Sequence, residues 1–269
     1  MVTYTYKIRP LSVALIGAVK GVVTHLTDPL TPLLAPVLVF YLEGGDKHIL
    51  VDAGISSPGA DGLIHGFPVQ GGGEEGIRRA LGEIGLTPDD IDVLILTHLH
   101  FDHCANAGLF RNARIVVNEI EWRTAFNPVP VYRAVYEPNL FLPLEQMNLV
   151  LVGDGYQVAP GVQVVHVPGH TLGQQAVVVD TAKGKMVLCG DLAYSYVNIY
   201  PGMTEITDLT GKAIQVTPRP DLPFFPPGLH VNLTDWYESM WKVLALAGRR
   251  DMLIPGHDGA LVGKVLPED

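Results

Sequence analysis

The sequence predicts an α/β protein, and three observations carry that expectation. Short apolar runs rich in β-branched residues recur at 37–42, 91–96, 162–167, 175–179 and 185–189, lengths that suit buried strands. Amphipathic stretches with helical spacing follow at 74–86 and 235–247. The composition is that of a well-cored globular chain: 48% hydrophobic, 17% charged, mean hydropathy +0.25. With 269 residues there is material for one large domain or two small ones.

Taken in order, Lys7 and Arg9 precede an apolar run from Leu11 to Val19. The pattern imitates a signal peptide, but the run is short, Gly17 interrupts it and Lys20-Gly21 stands where small residues would precede a cleavage site. A first strand and turn is the reading. Val37–Leu42 and His48–Val51 flank Glu43-Gly44-Gly45-Asp46, a turn signal, and form a hairpin that runs into Asp52-Ala53-Gly54. Residues 56–73 are rich in Gly and Pro and read as a long loop, a candidate lid. Glu74–Leu86 is a helix with Ile77, Ala80, Leu81 and Ile84 on one face, stopped by Gly85 and Pro88.

The densest chemistry lies past the strand at 91–96. Thr97-His98-Leu99-His100-Phe101-Asp102-His103 packs three imidazoles and a carboxylate between positions 98 and 103. In an extended chain, residues two apart face the same way, so His98 and His100 grip one cation. Asp102 is a suitable N-cap for a short helix over Cys104–Phe110; that turn would aim Asp102 and His103 towards a second ion. Nitrogen and oxygen donors at this spacing suit hard or borderline divalent metals.

Arg114–Asn118 is a further strand and Glu119–Phe126 a short helix. Residues 127–147, with four prolines and several aromatics, read as a partly helical insertion that lines a pocket or meets a subunit. Val162–Val167 ends in Pro168-Gly169-His170. A hairpin of Gln175–Val179 and Lys185–Cys189 ends in Gly190-Asp191, and Met252–Ile254 ends in Pro255-Gly256-His257. Each strand stops and presents a donor, with glycine permitting a tight turn. Five histidines (His98, His100, His103, His170, His257) and two aspartates (Asp102, Asp191) thus converge on one sheet edge, a common place for sites in α/β proteins. The Pro-rich stretch 198–233 reads as a surface loop near the site. Asp235–Ala247 reads as a helix with Asp235 and Glu238 as a capping-box pair.

Charge narrows the partners. The formal net charge is −10, and no Lys/Arg cluster exists, which disfavours nucleic acid. No apolar stretch approaches the ~20 residues of a membrane span. Cys104 and Cys189 give no disulfide framework and read as two buried thiols, although each adjoins a donor segment; a reducing cytoplasm fits them. His25, His48, His65, His166 and His230 lack a ligand context.

The ordered series His98-x-His100-x-Asp102-His103, His170, Asp191 and His257 resembles the metallo-β-lactamase superfamily, nearly end to end from the Asp52-Ala53-Gly54 turn to Gly256-His257-Asp258. The resemblance implies a single domain over 1–269, a four-layer αβ/βα sandwich, and two ions. One would be held by His98, His100 and His170 and the other by Asp102, His103 and His257, with Asp191 bridging. Within the superfamily, Phe101 inside the motif and Asp191-Leu192-Ala193-Tyr194 resemble N-acyl homoserine lactonases. Zinc β-lactamases carry cysteine where Asp191 stands, and flavo-diiron proteins carry glutamate where His100 stands. Cys104-Ala105-Asn106 departs from the Gly-rich continuation common in lactonases.

The implied reaction is opening of a lactone or related carboxylic ester by a metal-bridging hydroxide. Tyr194 and a metal would hold the oxyanion, Asp102 would pass the proton to the leaving alkoxide, and Asp52 would orient a ligand histidine. Zinc is the default for this donor set; iron, manganese and cobalt stay open. So does a homodimer. The alternatives are a glyoxalase II-type thioesterase or amide hydrolase, an iron-dependent oxidoreductase, and a non-catalytic binding protein.

Overall fold

A computed structural model of the chain describes residues 4–268. The strands are β1 (Lys7–Val19), β2 (Pro32–Glu43), β3 (Ile49–Val51), β4 (Leu63–Ile64), β5 (Phe67–Gly71), β6 (Val93–Ile95), β7 (Arg114–Asn118) and β8 (Leu149–Val152), then β9 (Gln157–Ala159), β10 (Val162–His166), β11 (Gln175–Thr181), β12 (Gly184–Leu188), β13 (Glu205–Thr207), β14 (Ala213–Gln215) and β15 (Leu253–Ile254). The helices are α1 (Lys20–Val23), α2 (Gly73–Gly82), α3 (Glu119–Phe126), α4 (Pro138–Phe141), α5 (Tyr196–Ile199) and α6 (Leu233–Ala247). One sheet has the order β4-β5-β1-β2-β3-β6-β7-β8, a second β15-β12-β11-β10-β9, and β13 pairs with β14 alone.

The layers follow from side-chain alternation. In β2, Leu38, Phe40 and Leu42 face the second sheet and meet Val162, Val164, Val177 and Val179. Their neighbours Val37, Val39 and Tyr41 face the other way, towards Ile77, Ala80 and Leu81 of α2. Successive strand residues point to opposite faces, so a strand buried on both sides reads as one continuous apolar run. On the far side of the second sheet, Val165, Val178 and Val187 pack against Trp236, Met240 and Val243, the apolar stripe of α6. Helix, sheet, sheet, helix is the αβ/βα sandwich. Fully burying side chains of this size is worth roughly 1.5–3 kcal/mol each.

Several expected elements need correction. Residues 56–73 contain a hairpin, with β5 joined to the edge of β1 through Ala14–Ile16; its turn at His65-Gly66 has φ of 51° and 83°, a left-handed pair that the composition hid. Helix α2 stops at Gly82, and 83–86 close as a turn around Gly85 at φ 75°. No helix covers Cys104–Phe110: only Ala107–Leu109 is helical, as a single 3-10 turn begun at Asn106, so Asp102 is not an N-cap. The α6 cap is Asn232, whose side chain accepts from the amides of Thr234 and Asp235, not an Asp235–Glu238 pair. The 198–233 stretch holds the end of α5 and both β13 and β14, and buries Phe224 and Phe225, so it is not a mere surface loop. β8 and β9 lie outside the expected elements, although Gly153-Asp154-Gly155 and Pro160-Gly161 mark the turns after them. Among the described residues no helix is long and apolar enough to cross a membrane.

Candidate metal centre

The strand ends do converge. β3 and β6 run parallel in the first sheet, and β12 and β15 run parallel in the second. Asp52 follows β3, the 97–103 segment follows β6, His170 follows β10, Asp191 follows β12, and His257 follows β15. The two Pro-Gly-His exits use glycine for different reasons. Gly169 has φ 143° and lies where a Cβ would sit 2.6 Å from the Trp236 Cα. At Gly256 a Cβ would meet the Gly190 carbonyl oxygen at 3.0 Å and Asp191 Oδ1 at 3.1 Å, so the need is close approach.

The seven side chains fall into two clusters, His98, His100 and His170 in one, and Asp102, His103, Asp191 and His257 in the other, the donor atoms of each lying within 4.8 Å of one another. Asp191 faces both. Its Oδ1 is 3.2 Å from His103 Nε2 and 3.0 Å from His257 Nε2, while its Oδ2 is 3.5 Å from His170 Nε2 and 3.9 Å from His98 Nε2. His100 Nδ1 and His170 Nε2 stand 3.0 Å apart. The turn that separates the clusters runs through His100, whose carbonyl accepts from the amides of His103 and Cys104. That turn, and no helix, sends Asp102 and His103 to the second cluster.

Outward hydrogen bonds fix four of the five rings. His103 Nδ1 lies 2.8 Å from Asp52 Oδ2, and Thr97 donates to Asp52 from both its amide (2.7 Å) and its hydroxyl. His98 Nδ1 meets the Thr97 hydroxyl at 3.1 Å, His170 Nδ1 the Leu229 carbonyl at 3.2 Å, and His257 Nδ1 the Pro36 carbonyl at 2.9 Å. Such partners set the tautomer and leave the inward nitrogen free for a cation. Asp52 takes the left-handed conformation, φ 64°, which Asp tolerates better than most residues.

Electrostatics divide the centre. Burial drives His98 and His100 well below the usual imidazole value and also lowers His170. At His103 and His257 burial acts the same way but is outweighed by Asp191, with Asp102 and Asp52 adding at His103, so both are held above it. Burial opposes ionisation of Asp191, yet His103 and His257 hold its carboxyl well below the usual carboxylate range. Neutral imidazoles gather on one side and positive charge is drawn to the other; a divalent cation satisfies both needs. The buried His98 Nε2 has no hydrogen-bond partner, as expected of a lone pair kept for a metal. The donor set therefore fits two divalent ions.

A cavity of about 370 Å³ opens over the clusters. His100, Asp102, His170, Asp191 and His257 form its floor, and its walls are largely apolar, among them Ile16, Leu33, Phe67, Phe101, Val135 and Ile206. Tyr194 lines it too, its ring stacked on His257 at 5.6 Å and its hydroxyl 3.5 Å from His170 Nδ1. Burial first, then the charges of Asp191 and Asp102, raise the phenol well above its ordinary value, so the hydroxyl stays protonated and able to donate.

Cys104 and Cys189 are buried free thiols, outside both clusters, and burial pushes both up, Cys189 to about 12. His25, His48, His65, His166 and His230 also lie outside them. Sequence reasoning missed Thr97, Glu121 and Tyr136. Thr97 adjoins the motif and was within reach; nothing in the local pattern marks Glu121 as buried, since the exposed Glu119 stands two residues before it.

The profile of the metallo-beta-lactamase superfamily matches residues 33–257. An N-acyl homoserine lactonase from a Bacillus species is 35% identical over 187 residues, covering 65% of this chain and 72% of that protein. Among solved structures, an N-acyl homoserine lactone hydrolase with the product N-hexanoyl-L-homoserine bound at its catalytic metal centre superposes with a TM-score of 0.76 at 24% identity, covering 99% of each chain. AidC, a dizinc quorum-quenching lactonase, superposes with a TM-score of 0.65 at 17% identity, over 95% of this chain and 90% of that one. These two structures speak for the fold. The profile spans most of the sequence, and the protein belongs to the metallo-beta-lactamase superfamily.

Proposed function

We propose that the protein is a two-metal hydrolase that opens the ring of N-acyl homoserine lactones, and so quenches the signals these molecules carry. One observation carries the reading: two donor clusters that share Asp191 lie on the floor of an apolar cavity, with a protonated tyrosine beside them. The lactonase relative and the product-bound structure support the same substrate class.

When bound, the two ions supply an activated water and polarise the ester carbonyl. The chain's own residues do the rest. His98, His100 and His170 would hold one ion, Asp102, His103 and His257 the other, and Asp191 faces both clusters. Tyr194 donates its hydroxyl to the ester oxygen as charge develops there. Asp102, whose side chain keeps 14% of its exposure, takes the proton that the attacking water gives up and passes it to the departing alkoxide. The apolar walls take the acyl chain and exclude water. Zinc is the proposed metal, from five imidazoles and two carboxylates and from the dizinc relative. Two buried, unpaired thiols suit a reducing compartment such as the cytoplasm.

The test is a hydrolysis screen over acyl homoserine lactones, aryl esters, thioesters and β-lactams, with metal counted in the same preparation. Fastest turnover on the lactones, two ions per chain and loss of turnover with chelator are expected. A single ion at full activity, or thioesters preferred over lactones, would overturn the reading.

A further inference from the structure

Four of the five clustered histidines have a hydrogen-bond partner on the nitrogen that faces away from the cluster; His100 has none. Its Nε2 is buried and unpartnered among the described residues. Besides its cluster partners His98 and His170, the ring meets Tyr136, at 4.6 Å between centroids and with the planes at 75°. The Tyr136 hydroxyl in turn donates to Glu121 Oε1 at 2.9 Å.

Glu121 is fully buried at the start of α3. Besides Tyr136, it accepts from the amide of Leu99, between His98 and His100, at 3.0 Å, and from the hydroxyl of Thr171, next to His170, at 2.6 Å. The loop after His170 also lies against it: any side chain at Gly173 would collide with the Glu121 backbone. A single carboxylate thereby touches the chain beside all three residues of the three-histidine cluster, and none of the other.

We infer that Glu121 is the positioning residue of the three-histidine half-site, doing for His100 through Tyr136 and Leu99 what Asp52 does for His103 directly. A buried carboxylate that accepts only from neutral donors is costly to ionise. It is retained, on this inference, because its two oxygens receive three donors from three separate segments and so fix their relative places. Loss of a group that orients ligands from behind typically weakens a site roughly 10–100-fold. The loss should fall on one ion and spare the other.

The inference rests on the two-ion reading, so the parent protein is counted first. Fewer than two ions in the parent would overturn that reading itself. With two in the parent, Glu121→Gln keeps the size of the side chain and is titrated with a competing chelator while bound zinc is counted. The expected result is that one ion leaves at roughly 10–100-fold lower chelator strength and the second is held as in the parent. The site that empties is then identified. In the Glu121→Gln background, His170→Ala should remove no further metal, whereas His257→Ala should remove the remaining ion. Tyr136→Phe, which leaves the Leu99 and Thr171 bonds in place, should weaken the same ion by a smaller factor, and it carries the test if Glu121→Gln does not fold. Two ions held as in the parent in the folded variant, equal weakening of both, or loss of the ion beside Asp52 would each overturn the proposal.

Discussion

Asp52→Asn isolates one buried contact at the centre. The side chain keeps its size, and asparagine tolerates the φ of 64° at this position. Asn Oδ1 still accepts from the amide and hydroxyl of Thr97, which lie 2.7 and 3.0 Å from the oxygen it replaces. The other carboxylate oxygen, 2.8 Å from His103 Nδ1, becomes an amide NH2. To keep Nε2 free for a cation, His103 must carry its proton on Nδ1, so two donors now face each other. Flipping the amide only transfers the deficit to Thr97. Either way one buried donor loses its acceptor, at about 1–3 kcal/mol. At about 1.4 kcal/mol per tenfold, that is roughly 5–140-fold in affinity for the ion on the Asp102–His103–His257 side. Competition of bound zinc against a graded chelator reads this directly, and circular dichroism of the metal-free variant controls for folding. Unchanged retention of both ions, or weakening confined to the three-histidine side, would refute the reasoning.

Other expectations follow from the same contacts. Tyr194→Phe should lower kcat and kcat/KM on a lactone together by roughly 10–100-fold with metal content unchanged, because the hydroxyl acts on developing charge; unaltered kinetics would leave the ring as packing alone. Gly169→Ala should cost about 2–6 kcal/mol in denaturant unfolding of the metal-free protein, from backbone strain at φ 143° and the clash with Trp236. Asp154 lies 2.9 Å from Lys242 Nζ and accepts from the His166 amide. Burial opposes its charge, but Lys242 outweighs it and holds the carboxyl below the usual range. A lowered folded value means stability present above the unfolded carboxylate pKa and lost as pH falls through the folded one. Asp154→Asn should therefore remove a stabilisation that is present at neutrality and flatten the curve below about pH 4, where the parent loses it; both effects are small, since both partners are more than a third exposed.

The sequence reveals what is periodic or dense. β7 and α3 fall at the expected residues because the apolar run and the helical stretch abut without an ambiguous residue between them. The seven donors are legible because each follows a strand, and strand ends are where a chain can present polar groups without burying unpaired backbone. What escapes is set by distant contacts. The hairpin at 63–71 exists because β1 offers it an open edge, and nothing within residues 56–73 announces that edge. Asp102 fails as a cap because the His100 carbonyl closes the turn before any helix begins. Glu121 looks like a solvent-facing acid until Leu99, Tyr136 and Thr171 are brought around it from three other segments.

Each donor cluster draws on both sheets: His98 and His100, or Asp102 and His103, leave the end of β6, while His170, Asp191 and His257 leave strands of the second sheet. An ion in either cluster is therefore a cross-link between two layers that otherwise meet through apolar side chains and a few hydrogen bonds, among them Gln175 Nε2 to the Leu96 carbonyl and Arg114 to the Val158 carbonyl. The unfolded chain has no such arrangement to offer, so loading becomes folding free energy, about 2.7 kcal/mol per ion at a hundredfold excess over its Kd. The cross-links sit at one edge, so stripping them loosens the sandwich there, as a seam opens from the end where the stitches are cut, while the valine-lined interior further along keeps its contacts. Amide exchange in the 97–103 and 254–258 segments, compared with and without metal, is where that seam would be seen to part.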